Sequence, residues 1–288
     1  MAAIERYAAP KSLAEAAELL RSGDATILAG GTDLMPQTQS GRMRFAPLLL
    51  NIRRIPELRG IEEREGVIRI GALTTVSELL ASALVRERLA ILWQACDHFA
   101  SDQIRNAATV GGNLCNASPA GDMLVPLLVL EARVLLASKA DGALRSRALP
   151  LAKFLTGPGR TARASSELVV AVEIPAPPPG FRGGFHKFGA RPALDISTIS
   201  IGVGAVREGE VLRGVRVAFG AVAPTALRAP RTEAALEGRV PDEAAVDAAL
   251  AAAEAEIHPI DDVRASGWYR RELVRNILRR VIARVSEH

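Results

Sequence analysis

Cysteine is nearly absent: Cys96 and Cys115 are the only two in 288 residues. Two thiols build neither a disulfide framework nor a four-thiolate cluster. The four histidines, His98, His186, His258 and His288, are scattered, so a metal site of clustered imidazoles is not expected. Aromatic residues make up 4% of the chain, which argues against base-stacking platforms and aromatic cages. The longest apolar run, residues 123–130, contains Pro126 and falls far short of the ~18 residues of a membrane span. At the N-terminus, Met1-Ala-Ala-Ile-Glu-Arg-Tyr7 has no positive stretch followed by an apolar one, so no signal peptide is expected. Unpaired thiols fit a reducing compartment, and the cytoplasm is the expected location. Motifs for common chemistries are missing as well. There is no P-loop pattern, no H-E-x-x-H, no paired C-x-x-C and no G-x-S-x-G elbow. Gly202-Val-Gly204 starts a dinucleotide fingerprint, but Arg207 occupies its third glycine position. No side-chain constellation able to run a reaction is evident.

What is present describes a folded chain of two domains at ~150 residues each. Hydrophobic residues make up 49% and charged residues 24%, enough to bury real cores. The net charge of +4 is spread along the chain, its longest basic cluster running from Arg270 to Arg280. Without a recognised binding motif beside it, that charge does not call for nucleic acid.

Hydrophobic periodicity predicts a helix over residues 11–22, then an apolar strand over 26–29 that runs into Gly30-Gly31. Further strands are predicted over 48–52 and 67–72, and helices over 76–83 and 86–99. A polar, Gly-rich segment (101–122) follows, then a helix from Met123 and strands over 133–137 and 167–174. The run Pro175-Ala-Pro-Pro-Pro-Gly180 suits neither helix nor central strand and marks a domain boundary or a rigid connection. Three β-like runs (184–188, 197–206, 214–221) and three helical patterns (229–236, 242–256, 268–285) close the chain, an α+β order with an antiparallel sheet.

The chemistry-bearing feature is a pair of Gly-Gly segments. Ala29-Gly-Gly-Thr-Asp-Leu-Met-Pro36 directly follows an apolar strand, and Thr109-Val-Gly-Gly-Asn113 leads into Leu-Cys-Asn-Ala-Ser-Pro-Ala-Gly-Asp122. Consecutive glycines let backbone N–H groups turn toward one anion. Two such loops suit a diphosphate clamped from both sides without a helix dipole, with Asp122 accepting from a sugar hydroxyl. A plain turn is the commoner use of a Gly-Gly pair, and the residues alone leave both readings open.

The two segments, the second within a nineteen-residue stretch from Ile104 to Asp122, resemble the diphosphate loops of the FAD-binding medium subunits of molybdenum hydroxylases, the xanthine dehydrogenase and carbon monoxide dehydrogenase type. Lys187-Phe-Gly-Ala-Arg191 with Asp195, Gly220-Ala-Val-Ala-Pro-Thr-Ala-Leu-Arg-Ala229 and Asp262-Val-Arg-Ala-Ser-Gly-Trp-Tyr-Arg-Arg271 are also similar to family segments, so the resemblance spans the chain. It implies an α+β protein: a vanillyl-alcohol-oxidase-type (PCMH-type) FAD-binding domain over 1–175, its two subdomains split near 55–60. A smaller α+β domain with a three-stranded antiparallel sheet would follow over 181–288.

The resemblance also implies the FAD contacts. They are Ile27, Leu28, Ala29, Gly30, Gly31, Thr32, Asp33 and Leu34 on the first loop, and Thr109, Val110, Gly111, Gly112 and Asn113 on the second. Asp122 would hold ribityl or ribose hydroxyls, Phe99 an apolar position near the cofactor, Val169 a backbone contact to the ring, and Lys187 a position beside it. Partners implied are a large molybdopterin-binding subunit and a small iron–sulfur subunit with two two-iron clusters, in a heterotrimer that passes electrons through FAD to NAD, a quinone or another external acceptor. The extra four-iron cluster of some relatives needs four thiolates, which two cysteines do not provide. Read without the family, Phe99 is a core residue, Lys187 a solvated one, Arg191–Asp195 a surface pair, and Cys115 a packing residue rather than a redox centre. A free-standing flavin oxidoreductase and a cofactor-free assembly module that keeps the fold are the rival readings.

Overall fold

The computed structural model describes residues 4–191 and 194–287; His288 and the first three residues of the N-terminal stretch lie outside them. Three larger sheets carry the chain, with a small two-stranded one, Leu155–Gly157 beside Arg160–Thr161, as a fourth. The first is parallel, with the strand Leu48–Asn51 between Arg6–Ala8 and Ala25–Leu28. The helix Leu13–Leu19 joins its outer strands, and its N-cap, Ser12, accepts from the Glu15 amide at 3.2 Å.

The second sheet is antiparallel, in the order Ile61–Arg64, Val67–Gly71, Leu168–Pro175, Arg133–Ala140, Ala143–Pro150. Its central strand, Leu-Val-Val-Ala-Val-Glu-Ile-Pro, is apolar on both faces because both are covered. Leu168, Val170 and Ala171 pack toward the parallel sheet with Leu20, Leu50 and Leu58. Val169, Val172 and Ile174 pack toward a helical layer built from Val76–Ala81, Ala83–Arg88, Ala90–Asp97 and Leu124–Val129. A bulge between Val169 and Ala171 breaks the alternation and turns Val169 to the helical side.

The third sheet is a meander of Phe181–Phe188, Ile199–Glu208, Val211–Gly220 and the two-residue strand Leu227–Arg228. The expected three strands thus gain a short fourth. One face buries Val203, Val217 and Phe219 under the helices Glu243–Glu256 and Gly267–Ser286. The other lies on the helical layer of the second sheet at backbone distance: a Cβ on Gly202 would come within 2.8 Å of Val125, and one on Gly183 within 2.7 Å of Ile91. Phe185, Ala218 and Ala226 therefore belong to the same core as Ile91 and Val125.

Several elements differ from the sequence expectation. Ser82 ends one helix and caps the next, and Leu89 (φ −125°, ψ 45°) breaks what periodicity read as one helix over 86–99. The polar segment 101–122 is not one loop; it contains the helices Asp102–Arg105 and Val110–Asn116. Among the described residues no helix is long and apolar enough to cross a membrane.

Candidate functional site

An elongated cavity of about 380 Å³ opens where the parallel sheet, the central strand of the second sheet and the helix Val110–Asn116 meet. Both Gly-Gly segments reach it. Ile27, Ala29, Gly30, Gly31, Thr32, Asp33 and Leu34 line one wall; Thr109, Gly111, Gly112 and Asn113 line the opposite one; Phe99 and Val169 complete it.

The first segment is a true loop, held open. Gly31 has φ +79°, a left-handed conformation that a residue with a Cβ adopts only with strain. A Cβ on Gly30 would lie 2.0 Å from the Ala107 carbonyl oxygen, so the first loop touches the backbone leading to the second. Among the described residues, no hydrogen bond engages the backbone amides of Gly30, Gly31, Thr32 or Asp33. Four N–H groups without a protein acceptor, on residues that line the cavity, are available as donors to an anion. Asp33 is on the same wall, and burial pushes its carboxyl above the usual range.

The second segment works differently, which corrects the expectation of two equivalent amide cradles. Thr109 is the N-cap of the helix Val110–Asn116, its Oγ1 accepting from Gly112 N at 3.1 Å. Val110 N donates to Thr74 O (3.0 Å), Gly111 N to Ala72 O (2.8 Å) and Asn113 N to Thr109 O (3.0 Å). These amides already have acceptors. The glycine at 111 serves close packing instead, since its Cβ would stand 2.8 Å from the Ala72 Cβ. Asn113 lines the cavity on this wall, and its buried Oδ1 has no hydrogen-bond partner in the protein.

Four of the expected site residues stand elsewhere. Leu28 does not line the cavity, and Val110 is core, 1% exposed. Asp122, expected to take sugar hydroxyls, has both oxygens engaged: Oδ2 accepts from Lys187 Nζ at 2.6 Å and Oδ1 from Ser197 Oγ at 2.5 Å. Lys187 also donates to the His98 carbonyl at 3.2 Å. This pair is buried and ties the third sheet to the segment that ends in Phe99. Burial pushes the Asp122 carboxyl up, and the Lys187 ammonium and the Ser197 hydroxyl oppose that without cancelling it.

Sequence reasoning missed other wall residues. Gln37 Nε2 donates to Asn116 Oδ1 at 2.8 Å, stapling the helix after the first loop to the helix of the second. The Arg163 guanidinium is a cation on the cavity wall, with Nη1 donating to the carbonyls of Glu167 (2.6 Å) and Ala164 (3.0 Å). Cys115 borders the cavity and is open to it; the protein atoms packed around it push its thiol up to about 11, which makes it a poor nucleophile.

Comparison with known proteins decides the family. Residues 2–177 match the FAD binding domain in molybdopterin dehydrogenase, and residues 185–285 match the CO dehydrogenase flavoprotein C-terminal domain. The chain belongs to the family of FAD-binding subunits of molybdenum hydroxylases. Over 280 residues it is 34% identical to the carbon monoxide dehydrogenase medium chain of Hydrogenophaga pseudoflava, covering 96% of this chain and 95% of that one. The xanthine dehydrogenase FAD-binding subunit of Escherichia coli O157:H7 is 32% identical over 280 residues, covering 96% and 94%. The solved carbon monoxide dehydrogenase of Hydrogenophaga pseudoflava superposes with a TM-score of 0.92 at 33% identity, covering 98% of this chain and 97% of that one. Quinoline 2-oxidoreductase from Pseudomonas putida 86 superposes at 0.89 with 29% identity, covering 99% and 97%. The fold is thus that of the family throughout: an FAD-binding type of domain followed by an α+β domain with an antiparallel sheet.

Proposed function

We propose that this chain holds FAD in the 380 Å³ cavity and serves as the electron-transferring flavoprotein subunit of a molybdopterin-dependent hydroxylase or dehydrogenase. Its partners in this reading are a large molybdopterin-binding subunit and a small iron–sulfur subunit that supplies the electrons. An external acceptor, NAD or a quinone, takes them away, and the assembly works in the cytoplasm.

The observation that carries the reading is a set of polar groups waiting on the cavity. The amides of Gly30, Gly31, Thr32 and Asp33 face no acceptor in the protein, and Asn113 Oδ1 is buried without a donor. The loop amides lie on half-buried or exposed residues, and Asn113 Oδ1 is the buried group of the set, where an unmet polar atom costs on the order of 1–3 kcal/mol; donors and an acceptor without protein partners on residues of one cavity suit a ligand that satisfies them. Their chemistry fits FAD: amide donors and the Arg163 cation for a diphosphate, a side-chain acceptor for a hydroxyl or ring N–H, and apolar walls at Phe99 and Val169 for a ring system. Bound FAD supplies exchange of electrons between a two-electron and a one-electron carrier. The chain would contribute placement: the loop at 30–33 would hold the anionic part, Gln37 and Asn116 hold the walls together, and the Asp122–Lys187 tie fixes the third sheet against the segment that ends in Phe99.

Titration of the full chain with FAD, followed by flavin fluorescence, tests this. Replacing Asn113 by Leu removes a buried oxygen that bonds nothing, so the apo protein is expected to be as stable as wild type or up to about 1–3 kcal/mol more stable, while FAD binding weakens about tenfold or more. A wild-type chain that takes up no FAD even with its large and small partners present rejects the reading.

A further inference from the structure

One turn of backbone separates the cofactor cavity from a second cavity of about 270 Å³ lined by His98, Lys187, Phe188, Arg191 and Asp195. Phe99 borders the first cavity and His98 the second, so the conformation of residues 97–100 sets both walls at once.

A few bonds already hold that turn. Phe99 N donates to Cys96 O at 3.1 Å, His98 N reaches Gln94 O at 3.4 Å and Lys187 Nζ donates to the His98 carbonyl at 3.2 Å, while the helix Ala90–Asp97 ends at His98 and leaves the Asp97 carbonyl without an intrahelical donor. Ala100 follows with φ +37°, a left-handed conformation that a residue with a Cβ adopts rarely and at a cost. The restraint on the turn's remaining carbonyls comes from Arg105. Its Nη1 donates to the Phe99 carbonyl at 2.8 Å and lies 3.4 Å from the carbonyls of Asp97 and Ala100. Its Nη2 pairs with Asp102, and the side chain is 18% exposed. Nη1 serves the three carbonyls while Nη2 holds Asp102, so the planar fork ties the turn to the start of the next helix, a two-point grip that a single ammonium reproduces only in part. Arg105 is also tied to the loops it serves. It ends the helix Asp102–Arg105, after which Ala107 N and Ala108 N donate back to Ile104 O at 3.0 and 2.7 Å. The Ala107 carbonyl is the group against which Gly30 packs.

We infer that Arg105 is a positioning residue of the site: it locks the 97–100 turn and so presents Phe99 to the cofactor cavity and His98 to the second one. The inference rests on the FAD reading for its consequence, but its first test needs no FAD. Hydrogen exchange on the full apo chain compares wild type with Arg105→Met and Arg105→Lys. In Arg105→Met, amides of residues 97–101 are expected to exchange roughly tenfold faster or more, with the central strand Leu168–Pro175 unchanged; Arg105→Lys should fall between. The same proteins titrated with FAD should show about tenfold weaker binding for Arg105→Met, a changed visible circular dichroism of the bound flavin, and partial recovery in Arg105→Lys. Exchange at 97–101 within about twofold of wild type in the variants overturns the inference. If Arg105→Met does not fold, Arg105→Lys decides by the same measure. Absence of FAD uptake by wild type fails the functional reading alone and leaves the exchange result to judge Arg105.

Discussion

The Asp122–Lys187 pair is the most exacting test of how the two halves of the molecule are joined. Lys187 and Asp122 side chains are 8% and 10% exposed, they meet at 2.6 Å, and Ser197 satisfies the second carboxylate oxygen at 2.5 Å. Removing one partner strands the other in a site already stripped of water. Lys187→Met leaves a carboxylate supported by Ser197 alone, and Asp122→Leu leaves an ammonium with only the His98 carbonyl. Each single change is expected to cost about 3–5 kcal/mol. The double variant removes both charges and fills the space with apolar groups, so it should lie within about 2 kcal/mol of wild type. The coupling in the cycle is therefore at least about 4 kcal/mol, read by urea unfolding or as a Tm change of roughly 2–4 °C per kcal/mol. The pH dependence adds a signed check. Burial already raises Asp122 above its ordinary value of 3.8, and losing the Lys187 charge raises it further. A carboxyl raised in the folded state favours folding where it is protonated and loses that contribution as pH rises through the folded value. The deficit of Lys187→Met should thus be smaller near pH 5 than near pH 8. Single variants that each cost under about 1 kcal/mol and simply add would refute the reasoning, because they would show the pair to be solvated.

Two further changes probe the loops and the sheet. Gly30→Ala forces a Cβ to within 2.0 Å of the Ala107 carbonyl oxygen, so the loops must separate; expected are lost FAD retention on gel filtration and a lowered Tm, and unchanged values for both would reject the close approach. Glu167 is held below the ordinary 4.5 by the Arg147 guanidinium, which reaches it at 2.5 and 2.7 Å, and by the Ala164 amide, against the opposing effect of burial. Its contribution is present above 4.5 and is lost as pH falls through the folded value, so the stability gap between wild type and Glu167→Gln should close in acid; a gap that widens there contradicts the assignment.

The sequence made the first loop legible because its signals are local. An apolar strand ends in two glycines, and a backbone with free amides is what that pattern builds. The same pattern at 111–112 builds a different local structure on the same cavity. Val-Gly-Gly-Asn-Leu-Cys-Asn has poor helix propensity, yet it forms a helix because Thr109 caps it and the carbonyls of Ala72 and Thr74 receive its first amides. Those acceptors are over thirty residues away in sequence and carry no residue-type signature. Arg105 was invisible for the same reason: its partners are carbonyl oxygens. Asp122 and Lys187 were each noticed, but their pairing across 65 positions was not. Edge strands were lost to composition, since Ile61-Glu-Glu-Arg64 and the arginine-bearing Ala143–Pro150 are largely solvent-facing and show no apolar alternation.

Glycine, then, does three separate jobs around one cavity, and only one concerns the ligand directly. At 30–31 it frees amides; at 111 it lets a helix sit against the end of a strand; at 183 and 202 it lets a sheet lie on helices. The last use controls the others. Interior glycine weakens a strand by about 0.5–1 kcal/mol relative to alanine, yet the strand Ile199–Glu208 carries two, and Phe181–Phe188 carries two more. A methyl on Gly202 would meet Val125 at 2.8 Å and Val129 at 3.1 Å, and would push the sheet outward. Lys187 belongs to that sheet, and a hydrogen bond of 2.6 Å to Asp122 tolerates little displacement before it weakens. The glycines in the seam thus set the length of the ion pair, the ion pair sets where the third sheet stands beside Phe99, and Arg105 sets Phe99 from the other side. A chain with so few reactive side chains is built to hold a wall still, and the scarcity of histidine and cysteine noted in the sequence is what such a task leaves behind.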